Sequence, residues 1–316
     1  MKEIKIVIIL FIAVFMVVFS ASVQAQGIFD FTQKPKAISP PDHEFIQPVW
    51  SPDGNRIAMA GKNYRGIWLM RADGSELSHI SDGIAAGFKF AWSPDSKEIV
   101  CREINYEKRR RVHIIAIYNI QTKSRRQVAR SRSAIMGLPK WSSDMRYILF
   151  QTFKGLQQAP SEKSTIFTKR RGTFFNEKSA FVFLDSTLAV AERLTPISGT
   201  YLNAVLSPDH HKIAFELLGG DLYVVNTDGS DLHDLGAGER PCWSPDSQWL
   251  GYMITKDDGH VFLGSDIYIV KRDGSEKTNV TATTYQFEMN PNWSPDGTTL
   301  VYDEKKSGGI FSLKIK

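Results

Sequence analysis

Several things are scarce in this chain of 316 residues. Cysteine occurs only twice, which excludes a disulfide-stapled scaffold and a multi-cysteine zinc site. Charge of one sign is in small excess. The 39 Lys and Arg residues against 34 Asp and Glu leave +5, too mild a balance to call for nucleic acid. A long apolar run occurs once, at Ile6–Phe19, and no helical period follows it. No Gly-x-Ser-x-Gly elbow is present, which excludes a peptidase domain of the α/β-hydrolase type. No His-x-x-x-His or other clustered metal-ligand spacing occurs, so neither a metal nor a cofactor is expected.

The apolar run belongs to an address. Lys2 and Lys5 precede it, and the small or polar segment Ser20–Gln26 follows. This three-part layout predicts a secretory signal peptide over residues 1–25, cut after Ala25. Fourteen apolar residues are short of the ~20 a spanning helix needs. The expected product is periplasmic or secreted, with no membrane span. It has a short tail at 26–35 and a single domain at 36–316.

What is abundant is one repeat. Trp50-Ser51-Pro52-Asp53-Gly54, Trp92-Ser93-Pro94-Asp95, Trp141-Ser142-Ser143-Asp144, Leu206-Ser207-Pro208-Asp209, Trp243-Ser244-Pro245-Asp246 and Trp293-Ser294-Pro295-Asp296-Gly297 are spaced by 42, 49, 65, 37 and 50 residues. Propeller blades repeat at about 40–45. Pro presets the first corner of a tight turn, Ser bonds the backbone, and Asp and Gly tolerate the following corners. The Asp residues of the six corners are therefore read as turn formers and not as ligands. A β-rich strand follows each corner, as at Arg56–Ala60 and Glu98–Cys101. A second hairpin recurs at Asp73-Gly74-Ser75, Asp228-Gly229-Ser230 and Asp273-Gly274-Ser275, a strong hairpin signal. Short fourth strands follow, including Arg193-Leu194-Thr195. The expected fold is all-β, a six-bladed propeller of four antiparallel strands per blade. The ring is expected to close when a strand near Lys36–Ser39 completes the last blade, and each Trp to pack between neighbouring blades.

These corners, with their I-A-F-like strands and D-I-Y-V-type strands ending in D-G-S, resemble the TolB-type propeller family over about residues 36–316. The resemblance implies an envelope propeller that docks a protein partner. The α/β domain that precedes the propeller in that family has no counterpart here. Leu206 replaces the corner Trp, and Ser143 and Met145 replace Pro and Gly. Those departures mark the third and fourth blades as irregular.

One segment stands out by charge. Cys101–Arg132 holds ten basic residues against Glu103 and Glu107. Arg109, Arg110, Arg111, Arg125 and Arg126 form its two groups, which antiparallel pairing is expected to bring together. A long insertion in blade three, between Phe153 and Ala180, adds Lys169, Arg170 and Arg171 among Phe167, Phe174 and Phe175. Arginine forks match carboxylate and phosphate oxygens. The two segments are a candidate basic sector for an anionic partner: an envelope protein, an acidic glycan or a lipid surface. Solvated blade edges would have the same composition. Asp42-His43-Glu44 and Asp257-Asp258-Gly259-His260 read as polar loops. Cys101 and Cys242, on opposite blades of a six-fold ring, are expected to be free thiols. The chain thus reads as a monomeric, non-enzymatic binding scaffold. The alternative is an enzyme sited in the channel, such as a polysaccharide lyase or a cyclase-like propeller. Histidines, arginines and carboxylates gathered at the channel mouth would favour that alternative; a small, apolar lining would favour the scaffold.

Overall fold

The computed structural model describes residues 34–132, 135, 137–152, 154–163, 173–177, 179–185, 187 and 189–315. The address at 1–25, most of the tail, and Lys169, Arg170 and Arg171 lie outside the described residues.

The strands form seven sheets, so the ring has seven blades and the expectation of six is corrected. Blade one is β2 (Phe45–Trp50), β3 (Arg56–Gly61), β4 (Ile67–Arg71) and β5 (Ser78–Ser81), after the short strand β1 (Lys36–Ala37). Blade two is β6 (Ala91–Trp92), β7 (Glu98–Glu107), β8 (Arg110–Asn119) and β9 (Arg125–Ser131). Blade three is β10 (Lys140–Trp141), β11 (Tyr147–Thr152) and β12 (Gly155–Pro160). Blade four is β13 (Phe174–Glu177), β14 (Ala180–Leu184) and β15 (Val190–Leu194). Blade five is β16 (Tyr201–Leu206), β17 (Lys212–Leu217), β18 (Leu222–Asn226) and β19 (His233–Asp234). Blade six is β20 (Glu239–Trp243), β21 (Trp249–Asp257), β22 (Phe262–Lys271) and β23 (Thr278–Asn279). Blade seven is β24 (Glu288–Trp293), β25 (Thr299–Glu304) and β26 (Gly309–Lys314), completed by β1.

The miscount has a definite source. The 65-residue spacing between the third and fourth corners holds a whole extra blade with no corner of its own. The segment taken as an insertion supplies β12 and β13 instead. Blades three and four carry three strands each among the described residues, not four. In blade four the first described strand runs from the corner of blade three, where Thr173 Oγ1 accepts from Ser143 N, towards Tyr201, whose carbonyl accepts from Asn176. That is the direction of a second strand in the other blades. The turn after β14 also matches the D-G-S turns: Asp185 Oδ1 accepts from Thr187 N at 2.7 Å, as Asp73 Oδ1 accepts from Ser75 N at 2.9 Å.

The corners hold as their chemistry predicts. In all six, the Ser hydroxyl donates to the Asp two residues on, at 2.5–2.6 Å. The indoles join the blades. Trp92 Nε1 donates to Val49 O at 3.2 Å, Trp141 to Ala91 O at 3.4 Å and Trp243 to Val205 O at 3.1 Å. Each acceptor is the residue just before the corner Trp, or Leu206, of the preceding motif. Closure rests on β1, where Lys36 pairs with Ser312 and Ala37 with Phe311. This blade is the seventh.

Alternation of strands gives the ring two faces. One bears the corners, which touch from blade to blade: Asp53 N donates to Ser96 Oγ at 3.0 Å and Asp209 N to Ser247 Oγ at 2.9 Å. The other, the hairpin face, bears the turns between second and third strands together with the blade-to-blade connections. Their backbones interlock, as in Gly66 N to Gly83 O at 3.0 Å and Lys305 N to Phe287 O at 3.0 Å.

Candidate functional site

Two hairpins overshoot the rest of the hairpin face. Blades two and six build them from strands of nine or ten residues, where most blades use five or six. At about 3.3 Å per residue, four extra residues add about 13 Å. Of the ten large apolar side chains left exposed among the described residues, eight lie on this face: Ile84, Tyr106, Leu202, Leu218, Val261, Phe262, Leu263 and Tyr285. The fourth-strand ends and corner-side turns hold only Val190 and Leu232. The tip of the blade-two hairpin is Lys108–Arg111, all exposed. Lys108 and Arg109 take positive φ there, as a two-residue turn of the primed type requires.

The structure splits the expected basic sector. Pairing of Tyr118 with Arg125 and of His113 with Ser131 places Arg125 and Arg126 at the opposite end of the blade from Arg109–Arg111. Two strands that start at opposite ends cannot bring their first residues together. Arg125 donates to buried Glu103 at 2.8 and 3.2 Å. Arg126 donates to Ser161 O at 2.6 Å and pairs with Glu162. Both are committed within the fold, whereas Arg109–Arg111 face solvent.

The other sequence candidates resolve into structure. Asp257 and Asp258 bond the backbone amides of their own turn at 2.9 Å. His43 stacks on Phe45 and meets Trp68 edge-on, with Asp42 at 2.9 Å. No group of three or more potential ligands is gathered among the described residues. Cys101 and Cys242 are free, on blades two and six, and burial pushes both thiols up.

The channel contains what sequence reading passed over. Three residues before each corner Trp or Leu stand Gln47, Lys89, Leu138, Asn203, Arg240 and Asn290. Five of them, all but Leu138, share a left-handed backbone, with φ from 49° to 56°. Such a conformation costs about 1–2 kcal/mol in a residue with a Cβ. In four blades it coincides with a register shift between first and second strands. A bulge of this kind re-aims a side chain, and here the re-aimed chains line the channel. The signal was present as a polar residue before Pro48, Pro241 and Pro291 at a fixed offset from the corner.

These side chains form a network across the ring. Lys89 Nζ reaches from blade two to Asn203 Oδ1 on blade five. Arg240 Nη1 donates to the same oxygen at 3.2 Å. Asn203 Nδ2 donates to both oxygens of buried Glu216 at 2.7 and 2.8 Å, and Arg240 N to one of them at 2.5 Å. Opposite, buried Asp303 accepts from Gln47 N and from Asn290 Nδ2, each at 2.9 Å. Burial raises Asp303 to about 7. Burial, with repulsion from Arg240, lowers Lys89 to about 8, and burial alone lowers Lys140 to about 8. The described lining therefore holds Lys, Arg, Asn and Gln, with prolines and phenylalanines between them and no histidine; the carboxylates Glu216 and Asp303 stand behind it, bonded to Asn203, Gln47 and Asn290.

No family model matches the chain, and no curated protein matches it. Solved propellers do. The β-propeller domain of Myceliophteria thermophila Cps50 (Swd1) superposes with TM-score 0.63 at 9% identity, over 91% of this chain and 100% of that one. A chain of the Mitotic Checkpoint Complex gives 0.63 at 15%, over 91% and 97%. Oligogalacturonate lyase from Vibrio parahaemolyticus gives 0.63 at 10%, over 88% and 92%. At these identities the likeness is one of fold, and the fold hosts both assembly proteins and an enzyme.

Proposed function

We propose that this propeller is a non-enzymatic docking module of the bacterial envelope that holds an acidic protein on its hairpin face. The observation that carries the reading is the concentration, on that face, of eight of the ten large apolar side chains exposed among the described residues, beside the solvent-facing cations Lys108–Arg111. Apolar anchors ringed by charge are the anatomy of a protein interface, and the cations specify an acidic partner by complementarity. Glu216 takes amide donors on both oxygens and Asp303 takes the Gln47 and Asn290 amides on Oδ1, which ties both carboxylates to the channel wall. The envelope placement rests on the address at residues 1–25 and accords with the TolB-type resemblance of the corners.

The test compares capture from a detergent-solubilised envelope extract by four baits, read by quantitative mass spectrometry. The baits are wild type, Arg109→Glu/Arg110→Glu/Arg111→Glu, Phe262→Asp, and Leu232→Asp on the other face. One acidic protein is expected with wild type and Leu232→Asp, at least tenfold depleted on the two hairpin-face variants. Equal capture by all four folded baits would remove the hairpin face from the reading.

A further inference from the structure

The channel holds a second feature, away from the hairpin tips of blades two and six. Two adjoining cavities of about 410 and 480 Å³ share Lys89, Phe90, Asn203 and Val205 in their walls. Cavities of this size suit small molecules. Lys89, Arg102, Lys140 and Arg240 line them. The ammonium of Lys89 and the guanidinium of Arg240 converge on a single neutral acceptor, Asn203 Oδ1. An amide oxygen cannot neutralise two positive charges; Glu216, bonded to Asn203 and the Arg240 amide, attracts Lys89, and Asp303 attracts Arg240, so two carboxylates behind the wall offset four lining cations only in part. Among the described residues Lys140 donates to the Phe174 carbonyl at 3.4 Å and lies over the faces of Phe174 and Phe175 at 5.3 and 5.5 Å. No carboxylate lies among the cavity-lining residues described.

Like charges gathered half-buried around a cavity work against folding. The left-handed backbone that aims Lys89, Asn203 and Arg240 inward works against it as well. Strain and repulsion held at one place mark a site organised for something else.

We propose that the channel binds a free, small oxyanion, a carboxylate or phosphate compound, between Lys89, Lys140 and Arg240. The oxyanion supplies the negative charge the lining lacks and takes charge-assisted hydrogen bonds from three directions. Its affinity falls as pH rises past about 8, where Lys89 and Lys140 give up their protons. The charged groups facing Lys89 are Arg240 from β20, Glu216 from β17 and Lys140 from β10. The binding requires no partner on the hairpin face.

Inorganic phosphate and citrate are the probes, titrated by calorimetry and by Tm against sodium chloride of equal ionic strength. Wild type is expected to bind at least one of them and to gain Tm over chloride, by the linkage of binding to stability. Arg240→Met and Lys140→Met are expected to lose about tenfold or more in affinity, the loss of one charge-assisted bond. Their Tm in chloride should hold or rise, because one of the cations in excess has gone. That last readout separates a site from a structural role, which would lower Tm. Phosphate and citrate both no better than chloride with wild type overturns the proposal. So does unchanged affinity in both variants. Arg109–Arg111 variants should bind the probes as wild type does, so the two proposals fail separately.

Discussion

Blades one, two, six and seven are built on the corner; blade four has none, and blade five keeps the corner without its tryptophan. At the corners of blades two, three and six the indoles of Trp92, Trp141 and Trp243 cross from blade to blade and donate to a main-chain carbonyl. At the junction of blades four and five, Leu206 has nothing to donate. Aromatic rings fill the place. Phe181 lies 4.6 Å from Tyr201 and 5.0 Å from Phe215, and Tyr201 lies 5.0 Å from Phe215. Tilted rings at such distances attract beyond their buried area. The comparison teaches that the repeat is one solution to blade adhesion, and that a blade can leave the repeat when its strands bring their own aromatic packing.

The largest expected effect breaks both junctions. Phe181 is fully buried and Trp243 nearly so. Phe181→Ala and Trp243→Ala should each cost about 3–5 kcal/mol, the range for large aromatic truncations, measured by urea unfolding. If Phe181→Ala costs less than about 1 kcal/mol, the ring cluster is not what replaces the indole.

A middle-sized effect asks whether the corner works without its tryptophan. Ser244 Oγ donates to Asp246 at 2.6 Å and accepts from Trp249 N at 2.9 Å; Ser207 does the same with Asp209 and Lys212 N, at 2.6 and 2.9 Å. Ser244→Ala and Ser207→Ala should lose the same amount, about 1–3 kcal/mol for a buried hydroxyl with both bonds made. A much smaller loss at Ser207 would mean that Leu206 has already loosened its corner.

The smallest effect is a titration. At Asp53, Asp95, Asp144 and Asp209 burial works to raise the carboxyl, but the Ser hydroxyl and backbone amides, helped at Asp95 by Lys163, outweigh it and hold each below the ordinary 3.8. A lowered carboxyl stabilises the fold above its unfolded value and loses that contribution as pH falls through the folded one. Urea midpoints should therefore drop as pH falls below about 4, and Ser51→Ala should flatten that slope. An unchanged slope in Ser51→Ala would assign the acid sensitivity elsewhere.

Much of this fold was written in local chemistry. Corner, D-G-S turn, closing strand and blade-bridging tryptophan each follow from a few adjacent residues. Blade four was hidden because its packing is non-local: Phe174, Phe181, Tyr201 and Phe215 come from four strands and announce no motif. The 65-residue gap, too long for one blade, was the available sign, together with Asp185-Ser186-Thr187 standing where a D-G-S turn would. The channel was missed for a related reason. Charge density along the chain drew attention to Arg109–Arg126, whereas the ring collects one residue per blade, and Lys89 and Arg240 lie 151 positions apart. Charge runs are legible in one dimension; a site at a symmetry axis is legible only as a fixed offset within a repeat.

The closing strand has a mechanical consequence. Lys36 opens the outermost strand of blade seven. A pull from that end would fall first on two residue pairs, on the bond from Ile38 N to Ile310 O at 2.9 Å, and on the bond from Ile310 N to Ser39 Oγ at 2.8 Å. Behind them, Ile38 and Phe45 sit in a core shared with Val301 and Ile310. The seam between first and last blade is thus both the clasp of the ring and its handle, and tension on the handle is tension on the clasp.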